Sequence, residues 1–189
     1  KMGKSEKGAV MLDPSMTSPY DFYQYWLNDD DSLAVQHLRW LTLMTADQVA
    51  DIERQQSESP ERRPAQRALA YDLTARIHGN AEADRQVRVA DAAFAGGPIN
   101  DPEVLDALFG AIDHFEFGTG DAANALDLAA VSGLATSRSE ARRLITQGGM
   151  SINDVRVTDI EASLPEPVAG RYFVLRAGRK RLLIARLRG

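Results

Sequence analysis

Between residues 18 and about 110 the chain is cut into short segments by matched helix start and stop signals. This punctuation constrains the fold more than any other feature, because each segment is too short to be stable alone and must pack on its neighbours. In "SPYDFYQYWLN", Ser18 is an N-cap and Pro19 suits the first helical position. Tyr20, Tyr23 and Leu27 share one face, and Phe22 and Trp26 another, so this helix is buried on most sides and its aromatics belong to the core. "SLAVQHLRWLTLM" predicts a second helix. "TADQVADIERQQ" predicts a third, with Thr45 and Gln48 as a capping box. "PERRPAQRALAYDLTARIHG" gives a fourth, closed by Gly79, and "NAEADRQVRVADAAFAGG" a fifth, capped by Asn80 and stopped by Gly96-Gly97. "DPEVLDALFG" is a short sixth, with Asp101 as cap. Residues 1–17 read as a loop and connection, 18–118 as an all-α domain, and "DHFEFGTGDAA" as the linker that ends it.

The pattern then changes. "NALDLAAVSGL" and "SRSEARRLITQGG" predict two short helices, the second opened by a Ser137–Glu140 capping box and closed by Gly148-Gly149. "MSI" and "VRV" flank Asn153-Asp154, a hairpin signal, and "RYFVLR" and "RLLIARL" flank a second turn. Residues 122–189 therefore form a small α+β module, and the chain as a whole is multi-domain. From Ser137 onward there are 11 Lys and Arg against 5 Asp and Glu, although the whole chain carries a net charge of −5. A basic end on an acidic body is either a polyanion-binding module or a solvated charged surface.

There are no cysteines, which excludes a disulfide framework, a thiol nucleophile and Cys-ligated zinc. No run of about 18 apolar residues exists to span a membrane. His37, His78 and His114 are scattered, so no metal site is expected, and His78 before Gly79 reads as a helix C-terminal cap. Asp29 to Asp31 read as a solvated acidic turn. The first residue is Lys rather than Met, and the start reads as mid-protein sequence, so the chain is expected to be a piece of a longer protein.

Lys1, Gly3, Lys4 and Ser5 make "KMGKS", whose Gly-Lys-Ser also ends a Walker A loop. A P-loop needs a helix directly after its Lys-Ser to cradle phosphates. "EKGAVMLDPSMTSP" comes next instead, with Gly8, Pro14 and Pro19, and is not helical in pattern. The string resembles the KMSKS signature of class I aminoacyl-tRNA synthetases, with Gly3 in place of the usual central Ser, as in the tyrosyl branch. "LDPSMTSPYDFYQYW", "HLRWLTLMTADQV" and "ARIHG" are similar to the segments downstream of the signature in bacterial tyrosyl-tRNA synthetases, and the resemblance runs to the end of the chain.

That resemblance implies a function. Lys1 and Lys4, with Ser5 assisting, would contact the phosphates of ATP, Mg-bound in the full-length enzyme, and Gly3 would let the loop close. Activation expels pyrophosphate, and a mobile loop with two ammonium groups stabilises the charge that builds there. The family's Rossmann catalytic domain, its tyrosine specificity and its homodimer interface lie upstream, so this chain alone is not expected to catalyse. The helical domain lies near the anticodon in the family; Arg54, Arg62, Arg63 and Arg67 fall in it, with no particular residue assigned.

In "SRSEARRLITQGGMSINDVRVTD", Arg138 and Arg142 share one helix face and Arg143 and Gln147 an adjacent one. By pattern alone this is a solvated amphipathic helix or an RNA-backbone reader. The string resembles a small RNA-binding module first named for a ribosomal small-subunit protein, in which an Asn, here Asn153, sits near the hairpin turn. By resemblance Arg138, Arg142, Arg143, Gln147 and Asn153 would face tRNA, with Arg179, Lys180 and Arg181 as weaker contributors. The resemblance thus implies a cytoplasmic tyrosine–tRNA ligase with tRNA(Tyr), ATP and tyrosine as partners. The alternatives are a non-enzymatic RNA-binding protein with the same tail, and a tryptophanyl relative.

Overall fold

The computed structural model describes residues 9–94, 97–178 and 181–188. It divides into two compact units, Lys1–Ala90 and Asp91–Gly189.

The first unit is helical. Helix α1 (Pro19–Leu27) opens where Ser18 accepts from the Asp21 amide, and α2 spans Ala34–Leu41. Helix α3 (Ala46–Glu58) has the complete Thr45–Gln48 capping box that the spacing predicts. The expected fourth helix is split. Pro60–Arg62 form one 3₁₀ turn, Arg63 turns left-handed at φ 54°, and α4 runs Pro64–His78. Pro64 is the cause, since a residue before proline is disfavoured in the right-handed helix. No side chain caps α4 at Arg63; the Gln56 side-chain oxygen instead accepts from the Ala65 amide at 3.1 Å.

Asn80 is not a cap. It is the first residue of α5 (Asn80–Phe94), and the Gly79 carbonyl accepts the first helical bond, from Ala83. Phe22, Ala34, Leu38, Val49, Ala65 and Leu69 form the core of this unit.

The acidic turn is exposed at Asp30 and Asp31, as expected, and it is also tied into the fold. Asp29 lies 2.6 Å from Nδ1 of the buried His37, Asp30 accepts from Ser32, and Asp31 accepts from the fully buried Gln66. Nor does His78 cap α4. Its ring meets Phe22 edge-on at 5.1 Å, while the Gly79 amide bonds Ala75.

The second unit is a mixed five-stranded sheet with helices. After α6 (Pro102–Phe109) the predicted linker is a strand, β1 (His114–Phe117). It pairs parallel with β5 (Arg181–Leu187) in the register His114↔Ile184. The helical domain therefore does not reach residue 118: α6 and β1 belong with the sheet. Nη2 of Arg171 donates to both carboxylate oxygens of Asp106 of α6, at 3.1 and 3.2 Å, and the Tyr172 hydroxyl donates to the same carboxylate. Burial and that bond push the Tyr172 phenol above its ordinary pKa.

Helices α7 (Ala125–Val131) and α8 (Arg138–Thr146) precede the hairpin β2 (Met150–Ile152) and β3 (Val155–Val157). Asn153 and Asp154 both have positive φ, 49° and 67°, as a two-residue type I′ turn demands. Strand β4 (Tyr172–Ala177) lies between β2 and β5, giving the order β1-β5-β4-β2-β3. Leu126, Leu128, Ile145, Met150, Ile152 and Leu175 meet in the core under the sheet.

Candidate nucleic-acid interface

Helix α8 is held by three devices, each written in the sequence around it. Ala141 and Ile145, four apart, are fully buried and dock the helix on the core. Ser137 caps its start, accepting from the Glu140 amide at 3.2 Å. The predicted reciprocal bond goes elsewhere, however. The Glu140 carboxylate accepts from the amide and hydroxyl of Thr136, one residue further back. The Thr136 hydroxyl, then its amide, hold the Glu140 carboxyl below the usual range, with Arg143 and Arg181 nearby adding to the effect. Thr136, Ser137, Ser139, Glu140 and Arg143 line a shallow concavity at this end of the helix. An anionic side chain already sits in it, so the positive end of α8 is satisfied internally and the open part of the helix lies further along.

At the C-terminal end, Gln147 is the cap residue and Gly148 (φ 65°) turns the chain left-handed. The Gly149 amide bonds the Leu144 carbonyl at 2.9 Å, closing the helix as the Gly-Gly pair predicts.

The predicted cations fall into distinct states. Arg138 is exposed yet paired with Asp127 of α7 at 2.9 Å. Arg142 and Arg143 are exposed and form no ion pair among the described residues. Gln147 is exposed beside them on the same helix. Arg181 is committed to structure: its two terminal nitrogens donate to the carbonyls of Leu134 and Gly133, each at 2.7 Å, closing the turn between α7 and α8.

Asn153 is similarly engaged. Its amide nitrogen donates to the Glu166 carbonyl and its oxygen accepts from the Val174 amide, both at 2.9 Å, which ties the hairpin turn to β4. Lys1, Gly3, Lys4, Ser5, Arg179 and Lys180 lie outside the described residues.

One cation was not singled out in the sequence. Arg156 of β3 is exposed, and its Nε donates to the Gly148 carbonyl at 2.6 Å. The signal was available: in "VRV" behind a two-residue turn, the middle residue points away from its neighbours.

A cavity of about 630 Å³ opens beside α1 in the first unit. Asp21, Asp29 and Asp30 line it and none of its described lining residues is cationic, so it is unsuited to a polyphosphate. Among the described residues no group of three or more His, Asp or Glu side chains is arranged to hold a metal ion, and no helix is long and apolar enough to cross a membrane.

Comparisons with known proteins match both units. Residues 1–95 match the family described as tRNA synthetases class I (W and Y), and residues 105–185 match the tyrosine–tRNA ligase SYY-like C-terminal domain. A tyrosine–tRNA ligase of Thermobifida fusca is 41% identical over 95% of this chain and 43% of its own length. One of Kineococcus radiotolerans is 43% identical over 96% of this chain and 44% of its own. The chain thus spans less than half the length of these curated relatives. A solved structure of a C-terminally truncated Aspergillus nidulans mitochondrial tyrosyl-tRNA synthetase is 32% identical, covering 48% of this chain and 25% of its own, with a TM-score of 0.46.

Proposed function

The chain belongs to the class I tRNA synthetases of the W and Y group, and from that membership we propose that it is the part of a tyrosine–tRNA ligase that supplies an ATP-phosphate loop and a tRNA-binding arm. The observation that carries the reading is the succession of two family matches along one chain, the second of them to a tyrosine-ligase C-terminal domain. A bare RNA-binding protein has no use for the first match. A tryptophanyl relative lacks the second.

The chemistry divides between the two ends of the chain. In the full-length enzyme the tyrosine carboxylate attacks the α-phosphorus of Mg-bound ATP, and pyrophosphate leaves. Lys1 and Lys4 place two ammonium groups on the departing phosphates, and Ser5 adds a hydroxyl. The aminoacyl group then passes to a ribose hydroxyl of tRNA(Tyr), releasing AMP.

The α8 face holds the tRNA by its backbone. Arg142 and Arg143, exposed and in no ion pair among the described residues, meet phosphates directly, and Gln147 adds a neutral donor beside them. Arg138 joins from its ion pair with Asp127. Asn153 supports the face indirectly, by fixing the hairpin. In this reading the enzyme is a cytoplasmic homodimer whose dimer contact lies in the upstream domain.

The test is a charging assay on the full-length protein. With ATP it attaches tyrosine to tRNA(Tyr) and does not attach tryptophan to any tRNA. Tryptophan charging would make it the tryptophanyl relative. Firm tRNA binding with no charging of either kind would leave only the RNA-binding alternative.

A further inference from the structure

We propose that Arg156 is a further tRNA-backbone contact, pre-oriented by Gly148 so that the cationic face of α8 continues onto the β2–β3 hairpin. The inference rests on the RNA-binding reading above and names a residue outside its assigned set.

Three observations carry it. First, the guanidinium is seated rather than free. Its Nε donates to the Gly148 carbonyl at 2.6 Å, at the end of α8. Second, the seat depends on a missing side chain. A Cβ on Gly148 would lie 2.5 Å from Nε, 2.5 Å from Nη2 and 2.7 Å from Cζ of Arg156. Gly148 thus serves its φ of 65° and also leaves the space in which the guanidinium rests; a side chain there would displace the Arg156 head group. Third, the outer part of the group is open. Arg156 is exposed, and among the described residues it has no ion pair and β3 is the last strand of the sheet.

The chemistry selects the ligand. With Nε engaged on the carbonyl, the two terminal nitrogens still form a planar fork, the geometry that takes a phosphate in a bidentate fashion. A side chain held in place loses less freedom on binding than one that must be ordered. A purely structural role is the competing explanation, because a cation at a helix C-terminus is stabilising in its own right. The two differ in what charge removal does to salt dependence.

The experiment uses the full-length protein and a tRNA(Tyr) transcript, with affinity measured across a series of salt concentrations. Arg156→Gln keeps a donor for the Gly148 carbonyl and removes the charge. Its expected effect is an unchanged melting temperature, a several-fold weaker affinity, and a log–log salt slope smaller by about 0.7–0.9, one phosphate contact. Arg142→Gln is measured alongside, as the control for the underlying reading.

If Arg142→Gln flattens the slope and Arg156→Gln does not, the present inference falls while the α8 face stands. A lower melting temperature with the parent's slope would make Arg156 a helix cap only, and also overturns it. If neither variant changes the slope, or if the parent shows no salt-dependent tRNA binding, the inference and the assigned RNA face fall together.

Discussion

Lys4→Ala in the full-length protein lowers tyrosine-dependent pyrophosphate exchange by about 100- to 1,000-fold while leaving tRNA affinity within about twofold. The size reflects what the ammonium is asked to do. In the ground state the triphosphate charge is spread over several oxygens and partly met by magnesium. In the transition state it gathers on the departing pyrophosphate. A cation that reaches those oxygens best at that moment stabilises the transition state more than the bound substrate, so the loss appears in rate rather than in binding. Removing one such preorganised partner typically costs two to three orders of magnitude. Affinity for tRNA is spared because the RNA contacts assigned to this chain are on α8 and the hairpin that follows it, not on this loop. Unchanged exchange in the variant removes "KMGKS" from the chemistry. An equal loss in exchange and in tRNA binding would mean that the substitution unsettles the protein rather than the reaction.

Ile145→Ala destabilises the second unit by about 2–5 kcal/mol, the range for deleting a buried branched side chain from a packed core. Ile145 is fully buried, as are Ala141 on its own helix and Leu126 and Leu128 across the core. Met150 and Ile152 of β2 and Leu175 of β4 share that cluster. The residue thus joins α8 to the sheet, and its neighbour Ala141 is too small to fill the space. Hydrogen exchange reads the effect locally. Amide protection at Ile152 and Val174 falls by about 30-fold or more, since each 1.4 kcal/mol is a factor of ten. Protection equal to the parent's would show that α8 is not held by this side chain, and that the face it presents is fixed by other contacts.

Much of this fold could be read in the chain because the signals were local. Ser18, Thr45 with Gln48, Asp101 and Ser137 each cap the helix their spacing announces, and Asn153-Asp154 make the predicted turn. The misreadings arose where the deciding partner is distant. "HFEF" is only four residues long and carries two polar side chains, and its partner strand lies 70 residues further on. No periodicity within such a segment reveals a parallel edge. Nothing local to Asp106 announces Tyr172 and Arg171 either.

Proline misled in a different way: the second proline of "PERRP" sets the start of α4, and the first merely starts a 3₁₀ turn.

The candidate site shows the same division. Which cations exist, and that Arg142 and Arg143 stand on one exposed helix, can be read from spacing. Which cations remain available cannot. Asp127 on the neighbouring helix holds Arg138, the Gly133 and Leu134 carbonyls hold Arg181, and backbone groups of Glu166 and Val174 hold Asn153. Each of those partners was chosen by tertiary packing. The Glu140 carboxylate is a subtler case, because its partner is a near neighbour. A capping box to Ser137 and a bond to Thr136 are both within its reach, and the pattern of residue types does not distinguish them.

The central claim is that the unpaired arginines of α8 hold the tRNA by its phosphates. The direct measurement is the salt dependence of tRNA(Tyr) binding by the full-length protein and by its Arg142→Gln, Arg143→Gln double variant. Two lost phosphate contacts reduce the log–log slope by about 1.4–1.8, and weaken binding across RNA sequences alike. A double variant with the parent's slope and the parent's affinity contradicts the claim.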